Sequence, residues 1–483
     1  MFEGLMADSP YERSMVSREV QRSGSESVTI SWISPNGDQF SGMLPFSVYP
    51  PREDTDLLAR SIANWPRDIS LSVLEIGCGS GVLACFASAL GHHVTACDIN
   101  PFAVASARNL AERHGLKMNI YEGGPGPQTD QHPHQWGGNE TYDRIIWNLP
   151  YLPSDIAGLQ KLGPLEEISM LAEENFSLYQ LMLEKIKKTA LLSKEGIAYF
   201  VVSSHFELKD CLESAWKRGL AARIIETIDF EDETIACVSV WHPFAQKGEW
   251  NEFDSVSSTN ELALSSGSEV GSVWVAQHQT KGRGRGQNTW ASLEHSTAAS
   301  WVVMMGDHHP SPLIQLHAGF NLLRLFRSLN PSSEFRLKYP NDIFVKHVDS
   351  TWKKCCGLLI ESTSMGQSNR VVLGVGINLF SEHSTYGGIF YNSNFEYSVQ
   401  MLHGCLGSIL VPSEPMNYSI EKEVLSMIEK ELVLSSSHLF EIYADGYKVE
   451  MIGITDTGDL RILAQGGKQL VKHLSEVSLI LLE

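Results

Sequence analysis

The stretch LSVLEIGCGSGVLACFASAL (71–90) decides the fold class of the first half of the chain. Its opening apolar run predicts a buried β-strand that ends at Gly77, and residues 82–90 then have helical character. A helix is predicted over 101–115. Strand-like runs recur farther along the chain, at 92–98, 143–150 and 196–204. This alternation of strands and helices predicts a doubly wound α/β fold with a mostly parallel sheet.

The second half of the chain has a different pattern, which begins within the polar stretch 241–254. It is denser in strand signals, and an amphipathic helix is predicted over 311–329 among them, so an α+β fold is expected. Near the end, short strands separated by turn signals predict a small β-barrel of the SH3-like type. We therefore predict four segments: an N-terminal extension (1–40), an α/β domain (41–247), an α+β domain (248–435) and the barrel (436–483).

The composition is typical of a globular protein of more than one domain. At 483 residues the chain exceeds one ordinary core, and its 43% hydrophobic and 19% charged residues are ordinary values. No apolar run approaches the roughly 20 residues of a membrane helix. The first residues lack the basic and apolar regions of a secretory signal. We therefore expect a cytoplasmic protein without a membrane partner.

Charge and cysteines narrow the possible functions further. The formal net charge of −20 argues against a protein that coats nucleic acid. The densest positive cluster, HQTKGRGRGQNTW (278–290), can be an RNA-binding segment, a surface loop or a loop that closes over a phosphate. The acidic chain makes the first interpretation the least favoured. The cysteines show no CxxC pair and no zinc-type Cys/His spacing, which predicts buried thiols without disulfides.

Candidate binding residues of the first half lie where strands end. Gly77 and the two glycines that alternate after it occupy a strand-to-helix turn, where backbone N–H groups can approach a ligand closely. Asp98 ends the next strand, near the offset expected of an acid that binds ribose hydroxyls. In WNLPYLPS (147–154), the side chain of Asn148 and the backbone carbonyl of residue 149 can accept hydrogen bonds, and Tyr151 can stack on a planar group. An ordinary strand exit remains the alternative for this last motif.

These segments resemble class I S-adenosylmethionine (SAM)-dependent methyltransferases, whose domain is Rossmann-like. The acid Glu75 with the spacing GCGSG resembles their motif I, and NLPY resembles the (N/D)PP(Y/F) motif of enzymes that methylate planar amino nitrogens. VYPPREDTDLLARSI (48–62), with the P-x-x-x-T core from Pro51 to Thr55, resembles the release-factor glutamine N5-methyltransferases. The resemblance implies catalysis by Asn148 and Tyr151. The residues that it implies for SAM are Glu75, Gly77, Gly79, Gly81, Asp98 and Asn148.

Leu149 departs from this family, because it stands where the first proline of the motif is usual. The carbonyl of residue 149 can still accept a hydrogen bond, but the loop loses rigidity. The methyl acceptor stays open between a protein glutamine, an RNA base and a small molecule. An alternative interpretation is that this half is a catalytically weak SAM-binding or recruitment module.

Four segments of the second half resemble biotin–protein ligases, the family of the biotin–[acetyl-CoA-carboxylase] ligases and holocarboxylase synthetases. They are SVSSTNELA (255–263), QTKGRGRGQNTWAS (279–292), RLKYPNDIFV (336–345) with KKCCGLLIES (353–362), and VVLGVGINL (371–379). Each is weak alone, but they occur in the order of that family. The resemblance implies that biotin and ATP form biotinyl-5′-AMP and that biotin then passes to a lysine of a carboxylase carrier domain.

The residue types in these segments suit that chemistry. Arg283 and Arg285, on a glycine-rich loop, can close over a phosphate. Lys338 and Lys354 can bring cations to the carboxylate and the α-phosphate. Asp342 is a candidate Mg²⁺ ligand, since magnesium is held by few carboxylates plus substrate phosphates. We therefore assign catalysis to these two arginines and two lysines.

The remaining roles come from the resemblance. It implies that Ser258, Thr259 and Gln279 contact the ureido ring of biotin, that Trp290 packs on adenine, and that Asn378 lies near the ribose or adenine. The structural alternatives are a helix N-cap for Ser258 and Thr259, a core position for Trp290 and a turn for Asn378. The full set implied for biotin, biotinyl-AMP or ATP is Ser258, Thr259, Asn260, Gln279, Gly282, Arg283, Gly284, Arg285, Trp290, Lys338, Asn341, Lys354, Gly357, Gly374, Gly376 and Asn378.

Two further features of the second half bear on its function. Tyr339 replaces the usual tryptophan of the KWPND motif. We expect no winged-helix DNA-binding domain before this half, and therefore not the repressor activity of some bacterial relatives. Another acyl group of the same superfamily, such as lipoate, is the alternative to biotin.

Overall fold

The computed structural model describes the chain in ranges separated by gaps. These ranges are 27–45, 47–124, 140–149, 178–204, 208–231, 233–244, 248–306, 312–347, 349–365, 368–390, 398–409 and 422–482. The chain forms two compact units, Met1–His242 (unit 1) and Pro243–Glu483 (unit 2). The finer limits expected for the individual domains stay predictions.

Unit 1 alternates strands and helices along most of its described length. Its described strands are β1 (Val28–Ile33), β2 (Gln39–Leu44), β3 (Ser72–Ile76), β4 (His93–Asp98), β5 (Asn119–Glu122), β6 (Tyr142–Asn148), β7 (Leu192–Ser203), β8 (Ala221–Asp229) and β9 (Thr234–Trp241). Its described helices are α1 (Glu53–Ala63), α2 (Val82–Ala89), α3 (Pro101–Arg113), α4 (Leu178–Lys188) and α5 (Cys211–Lys217).

Seven strands of unit 1 form one sheet in the order β5-β4-β3-β6-β7-β9-β8. Neighbouring strands from β5 to β7 pair in parallel, whereas β9 runs antiparallel to both β7 and β8. The prediction of a mostly parallel α/β sheet is therefore confirmed. Because the carboxyl ends of β3, β4 and β6 lie at the same edge, the loops that follow them meet there.

The register of this sheet places the candidate residues side by side. The last residue of β3 pairs with the penultimate residue of β4 and with the penultimate residue of β6. Gly77, which follows β3, is therefore flanked by the last residues of the two neighbouring strands, Asp98 and Asn148. Residues 21 and 71 positions away from Gly77 thus reach one point of the molecule.

The core beside this edge packs α1, α2 and α3 on the sheet. Leu58, Phe86 and Leu110, one from each helix, belong to one buried apolar cluster. The hairpin β1–β2 adds Trp32 and Phe40 to the same cluster. Apolar burial of this kind is the main favourable term in folding, and here it fixes the helices that begin at the candidate site.

Unit 2 is richer in strands. Its described strands are β10 (Trp250–Val256), β11 (Val273–Gln279), β12 (Ser296–Gly306), β13 (Phe335–Lys338), β14 (Asp342–Lys346), β15 (Trp352–Met365), β16 (Ser368–Asn378), β17 (Phe440–Ala444), β18 (Tyr447–Ile454), β19 (Leu460–Leu463), β20 (Gln469–Lys472) and β21 (Val477–Leu481). Its described helices are α6 (Thr259–Ser265), α7 (Pro312–Leu329), α8 (Val399–Gly407) and α9 (Lys422–Leu439).

The main sheet of unit 2 has the order β10-β11-β12-β16-β15-β14-β13. Its β10–β11 pair is parallel and its other pairs are antiparallel. The helix expected over 311–329 is α7, and most of its side chains are buried. A mostly antiparallel sheet with helices between some of its strands fits the α+β prediction.

The last five strands form a separate antiparallel sheet in the order β20-β19-β18-β17-β21. The small β-rich unit at the end of the chain is therefore present. An SH3-like barrel is not confirmed, because the described pairing leaves β20 and β21 as edge strands. The barrel stays a prediction.

The state of the cysteines and the length of the helices bear on the expectations from the sequence. All eight cysteines are buried thiols, as expected. Among the helices that the structure describes, none combines the length and the apolar character needed to cross a lipid bilayer.

The glycine before α2 is required by both backbone and packing. Gly81 has φ +81°, and a Cβ at this position would lie 2.6 Å from the Cβ of Ala107 in α3. The close approach of α2 and α3 next to the candidate site therefore depends on the missing side chain.

We expect Gly81→Ala to lower the free energy of unfolding of unit 1 by about 2–5 kcal/mol. The left-handed backbone accounts for about 1–2 kcal/mol and the overlap with Ala107 for about 1–3 kcal/mol. Gly37→Ala is the matched control, because Gly37 has φ +89° and a Cβ there meets no atom within 4 Å. Calorimetric unfolding of the full-length protein compares the two variants, and equal losses would contradict the packing argument.

Candidate active sites

The turn after β3 is held by the last residue of β4. Oδ2 of Asp98 accepts a hydrogen bond from Gly79 N at 2.9 Å, and Oδ1 accepts one from Asn100 N at 2.9 Å. The Asn100 side chain caps α3 by accepting from Phe102 N and donates to the carbonyl of Ser47. All three glycines of the turn have left-handed φ values, between 52° and 81°. The glycine turn, the candidate ribose-binding acid and the segment around Ser47 therefore form one hydrogen-bonded wall.

Two buried carboxyl groups interact at this wall. Glu75 is 4% exposed, and burial raises its pKa to about 8. A hydrogen bond from the backbone of Ala84 lowers this pKa, and the negative charge of Asp98 raises it. Burial also raises the pKa of Asp98, whereas the backbone hydrogen bonds that it accepts lower it. A cation placed nearby would offset both the desolvation and the mutual repulsion. The wall therefore suits a positively charged ligand.

At the end of β6, the NH₂ group of the Asn148 side chain is held by a hydrogen bond. Nδ2 of Asn148 donates to Oδ2 of Asp54 at 3.0 Å, and the Tyr49 hydroxyl donates to the same oxygen at 3.0 Å. Oδ1 of Asn148 is buried, and no described residue gives it a hydrogen bond. Leu149, which follows, is 5% exposed. Tyr151, the other residue assigned to catalysis here, lies outside the described residues.

Sequence reasoning did not identify Asp54 or Tyr49 as site residues. Both lie within the stretch 48–62, which the sequence marks only by its P-x-x-x-T core. No local signal singles out Asp54, because Glu53, Asp54 and Asp56 are all acids of the first turn of α1. Its partner on β6 could not be read from a local pattern.

A cavity of about 330 Å³ in unit 2 collects most of the predicted residues. Those that line it are Ser258, Thr259, Asn260, Gln279, Arg283, Gly284, Arg285, Trp290, Lys338, Asn341, Asp342, Lys354, Gly357, Gly374 and Gly376. Gly282 and Asn378 are not among its lining residues. The C-terminal region contributes three apolar side chains that sequence reasoning missed, Leu474 from the turn before β21 and Val477 and Leu479 from β21.

Buried polar side chains at one end of this cavity are linked. Oε1 of Gln279 accepts from Thr259 N at 2.8 Å and from Thr259 Oγ1 at 3.1 Å. The Ser300 hydroxyl lies 2.7 Å from Thr259 Oγ1 and 2.6 Å from Oδ1 of Asn260. Ser258 is the N-cap of α6, accepting from Glu261 N at 3.4 Å. Ser258 is therefore both the N-cap of α6 and a residue that lines the cavity.

Glu361 connects this polar end to the glycine-rich loop. Its Oε2 accepts from Nδ2 of Asn260 at 2.8 Å, and its Oε1 pairs with Arg283 at 3.0 Å. Two backbone hydrogen bonds close the loop. Gly284 N donates to Asn288 O at 2.9 Å, and Trp290 N donates to Gly282 O at 3.0 Å. Arg283 is thus held over the cavity by a carboxylate outside its own segment.

The other charged groups of the cavity form a second cluster. Nζ of Lys354 lies 2.7 Å from Oδ1 of Asp342 and 5.7 Å from the centre of the Trp290 ring. Burial lowers the pKa of Lys338, the charge of Asp342 raises it and the charge of Lys354 lowers it. Nζ of Lys338 lies 5.9 Å from the Phe440 ring. Two ammonium groups therefore share one carboxylate inside a half-buried space.

Trp290 lies directly on a glycine of β16. A Cβ at Gly376 would come within 2.5 Å of the indole, so only glycine allows this approach. The indole Nε1 is buried, and no described residue accepts its proton. Trp290 is thus packed on the sheet and is also part of the cavity wall. Its position is compatible both with a core role and with contact to a ligand.

Two predicted asparagines have different surroundings. Asn341 makes a turn, donating from its side chain to Leu358 O at 2.8 Å and from its backbone to Lys338 O at 3.1 Å. Asn378 is 1% exposed, and within the described ranges neither polar atom of its side chain has a hydrogen-bond partner. Asn378 is therefore a buried polar residue, and it is not among the residues that line the cavity.

Tyr339 joins the cavity to the C-terminal sheet. Its hydroxyl donates to the carbonyl of Gly458 at 2.8 Å, and the ring is 4% exposed. Burial raises the pKa of Tyr339 to about 12, the charge of Asp459 raises it and that of Arg285 lowers it. The hydroxyl of Tyr339 therefore links the cavity wall to the turn between β18 and β19.

Each half of the chain matches a family model. Residues 73–149 match the family described as Methyltransferase domain, and residues 252–378 match the Biotin/lipoate A/B protein ligase family. The two halves resemble two different enzyme families. The first match contains the turn after β3 and ends beside Asn148, and the second contains the motif segments that line the cavity.

Individual relatives agree with these matches. The chain is 24% identical to the human biotin–protein ligase over 223 residues, which cover 42% of this chain and 30% of that protein. It is 34% identical to the release factor glutamine methyltransferase of Geobacter sulfurreducens over 121 residues, which cover 24% of this chain and 38% of that protein. A solved biotin protein ligase from Aquifex aeolicus, in complex with biotin and ATP, is 21% identical with a TM-score of 0.38, covering 48% of this chain and 98% of that one. The chain spans about a third of the length of the two curated relatives.

Removing Glu361 is expected to destabilise unit 2 through Asn260. Glu361→Ala leaves the buried amide of Asn260 without its nearest acceptor, so the free energy of unfolding falls by roughly 1–3 kcal/mol. Glu361→Gln keeps that acceptor and loses only the partly exposed charge pair with Arg283, a loss of about 1 kcal/mol or less. Urea unfolding followed by tryptophan fluorescence compares the variants. Equal losses would show that the amide contact contributes nothing.

Proposed function

We propose that the chain is a bifunctional enzyme. Unit 2 acts as an ATP-dependent biotin–protein ligase, and unit 1 acts as a SAM-dependent N-methyltransferase of the NPPY type. The observation that carries the first proposal is the cavity that gathers four sequence segments around one group of cations. The second proposal is supported by the position of Gly77 between Asp98 and Asn148 at one edge of a parallel sheet.

The cations of the cavity suit a reaction between two anions. The carboxylate of biotin attacks the α-phosphorus of ATP, the bond to the bridging oxygen breaks, and pyrophosphate leaves with the electron pair. Arg283, Arg285, Lys338 and Lys354 reduce the repulsion between the carboxylate and the triphosphate and stabilise the charge that develops on the leaving group. A lysine amine of the carrier domain then attacks the acyl carbon, AMP leaves, and the amine loses a proton.

The position of Asp342 fits a magnesium ion only in part. Its carboxylate lines the cavity, but Lys354 already pairs with it. No group of three or more His, Cys, Asp or Glu side chains that could hold a metal occurs within the described ranges. Such a donor set suits Mg²⁺ that takes most of its ligands from phosphates and water, with Asp342 supplying one. When bound, the ion would neutralise phosphate charge.

A second acyl group remains the alternative for unit 2. The matched family includes lipoate ligases as well as biotin ligases, and a carboxylate on an apolar chain suits the same cations. Biotin is favoured because the polar end formed by Thr259, Asn260 and Gln279 offers hydrogen bonds that a ureido ring can use and that a dithiolane ring cannot. Competition of biotin against lipoate in a pyrophosphate-exchange assay separates the two.

For unit 1, the arrangement favours a planar nitrogen as the methyl acceptor. Oδ1 of Asn148 is buried and receives no hydrogen bond from a described residue, so it can accept one from an N–H group and hold that nitrogen in line with the methyl group. Among the three acceptor classes, a glutamine side chain of a protein is favoured, because the relative from Geobacter sulfurreducens is named for that residue. The turn after β3, with Glu75 and Asp98, would hold the cationic cofactor.

The alternative for unit 1 is a binding module that does not transfer the methyl group. The reason for this alternative is Leu149, which stands where the first proline of the motif is usual. Incubation with labelled SAM and a cell extract, followed by separation of proteins and RNA, distinguishes the two. Binding of SAM by calorimetry without any labelled product would favour the module. Label on a protein would favour the transferase, and mass spectrometry of that protein would locate the methyl group.

Lys338→Ala and Lys354→Ala are each expected to reduce biotin-dependent pyrophosphate exchange by about 100-fold or more, because each removes a cation from the anionic reaction centre. Lys353→Ala is the matched control, since this neighbouring lysine pairs with Asp349 and does not line the cavity. Exchange of labelled pyrophosphate into ATP measures the effect. A similar loss in the control, or unchanged exchange in both test variants, would contradict the proposal.

The affinity for SAM is expected to rise with pH up to about 8 through Glu75. The pKa of about 8 means that this carboxyl is protonated in the ligand-free protein below that pH. A bound cation favours the carboxylate, so binding releases a proton, and the binding constant gains up to about tenfold per pH unit. Calorimetry between pH 6 and 8 measures this slope. Glu75→Gln should remove it, and an unchanged slope in that variant would refute the assignment.

A further inference from the structure

The amide of Asn148 is oriented by a residue outside the matched methyltransferase range. Asp54, in the first turn of α1, is completely buried. Its Oδ2 lies 3.0 Å from Nδ2 of Asn148 and 3.0 Å from the Tyr49 hydroxyl. Its Oδ1 accepts from Thr55 N at 2.6 Å and from the Thr55 hydroxyl at 3.2 Å. Both oxygens of the carboxylate are thus engaged by donors.

This contact decides which end of the amide faces the substrate. An ionised carboxylate only accepts hydrogen bonds, so the group of Asn148 that faces Asp54 is the NH₂. Oδ1 must then face the other way, where no described residue gives it a hydrogen bond. A flipped amide would set oxygen against oxygen at Asp54. Asp54 therefore keeps an acceptor available at the end of β6.

We propose that Asp54 is a positioning residue for methyl transfer, which fixes Asn148 with Oδ1 as an acceptor and so selects substrates that present an N–H group, such as a primary carboxamide. The proposal rests on the methyltransferase function proposed for unit 1. A hydroxyl or thiolate acceptor gains less from this arrangement, because a thiolate has no proton to donate and a hydroxyl has one. Asp54 acts through Asn148 and does not itself meet the substrate.

The substitution Asp54→Asn reverses this orientation. The single oxygen of the new amide is taken by the adjacent Thr55 N–H, so its NH₂ group faces residue 148. Two NH₂ groups cannot bond to each other, and the amide of Asn148 therefore flips until its oxygen accepts from the NH₂ at position 54. The NH₂ of Asn148 then faces the substrate as a donor. In the exchanged pair Asp54→Asn with Asn148→Asp, the new carboxylate accepts from position 54 and again offers an oxygen to the substrate.

The test uses the full-length protein saturated with S-adenosylhomocysteine and the probe N-acetylglutamine amide, whose binding is followed by saturation-transfer NMR. We expect Asp54→Asn to weaken binding of the probe at least roughly tenfold and the exchanged pair to restore it to within about threefold, since a hydrogen bond at a buried acceptor carries that much affinity. The dissociation constant of S-adenosylhomocysteine, measured by calorimetry, should change less than about twofold. Asp56→Asn is the matched control, since Asp56 lies in the same helical turn, is exposed and accepts from Trp32 Nε1 at 2.8 Å.

Each outcome bears on the proposal. Undiminished binding of the probe by Asp54→Asn, or an exchanged pair as weak as the single variant, would overturn the positioning role. Absence of probe binding by the unmodified protein would overturn it as well. Failure of the unmodified protein to bind S-adenosylhomocysteine would instead contradict the function proposed for unit 1, so the two failures are distinguishable.

Discussion

The ion pair between Lys354 and Asp342 is the constraint on which the cavity of unit 2 depends. Their charged atoms lie 2.7 Å apart, inside a space that also receives Lys338, Arg283 and Arg285. Positive charges this close repel one another strongly in a half-buried setting unless carboxylates lie among them. Asp342 holds one lysine over the Trp290 ring, and Glu361 holds an arginine of the glycine-rich loop. The cations are therefore in place before an anionic ligand arrives, which is the arrangement that electrostatic catalysis requires.

Both units use a buried or partly buried carboxylate to orient a site residue. In each, a predicted site residue is oriented by a carboxylate that was not predicted as a site residue: Asp54 for Asn148 in unit 1, and Glu361 for Asn260 and Arg283 in unit 2. Amides and guanidinium groups have several orientations of similar energy, so a fixed acceptor is needed to select one. In the proposed functions, the predicted site residue contacts the ligand, and the carboxylate fixes the orientation of its side chain.

Local patterns were sufficient for the strand, glycine turn and helix of 71–90 and for the helix α7, because apolar periodicity and glycine conformation are properties of neighbouring residues. The meeting of Gly77, Asp98 and Asn148 also follows from the sequence once a parallel sheet is expected. Asp54 and Glu361 could not be predicted, because their partners lie 94 and 78 residues away and the contacts depend on packing. The same holds for the apolar residues that the C-terminal region adds to the cavity. Asn378, expected near the nucleotide, is buried but does not line that cavity.

A chain with an adenylate site in unit 2 and a SAM site in unit 1 should hold both ligands at once. Native mass spectrometry of the full-length protein, incubated with biotin, ATP, Mg²⁺ and SAM, measures this. We predict a single chain that retains one biotinyl-5′-AMP and one SAM together, and loss of only the adenylate in Lys338→Ala. A chain that retains neither ligand, or one that forms an adenylate with lipoate but not with biotin, would contradict it.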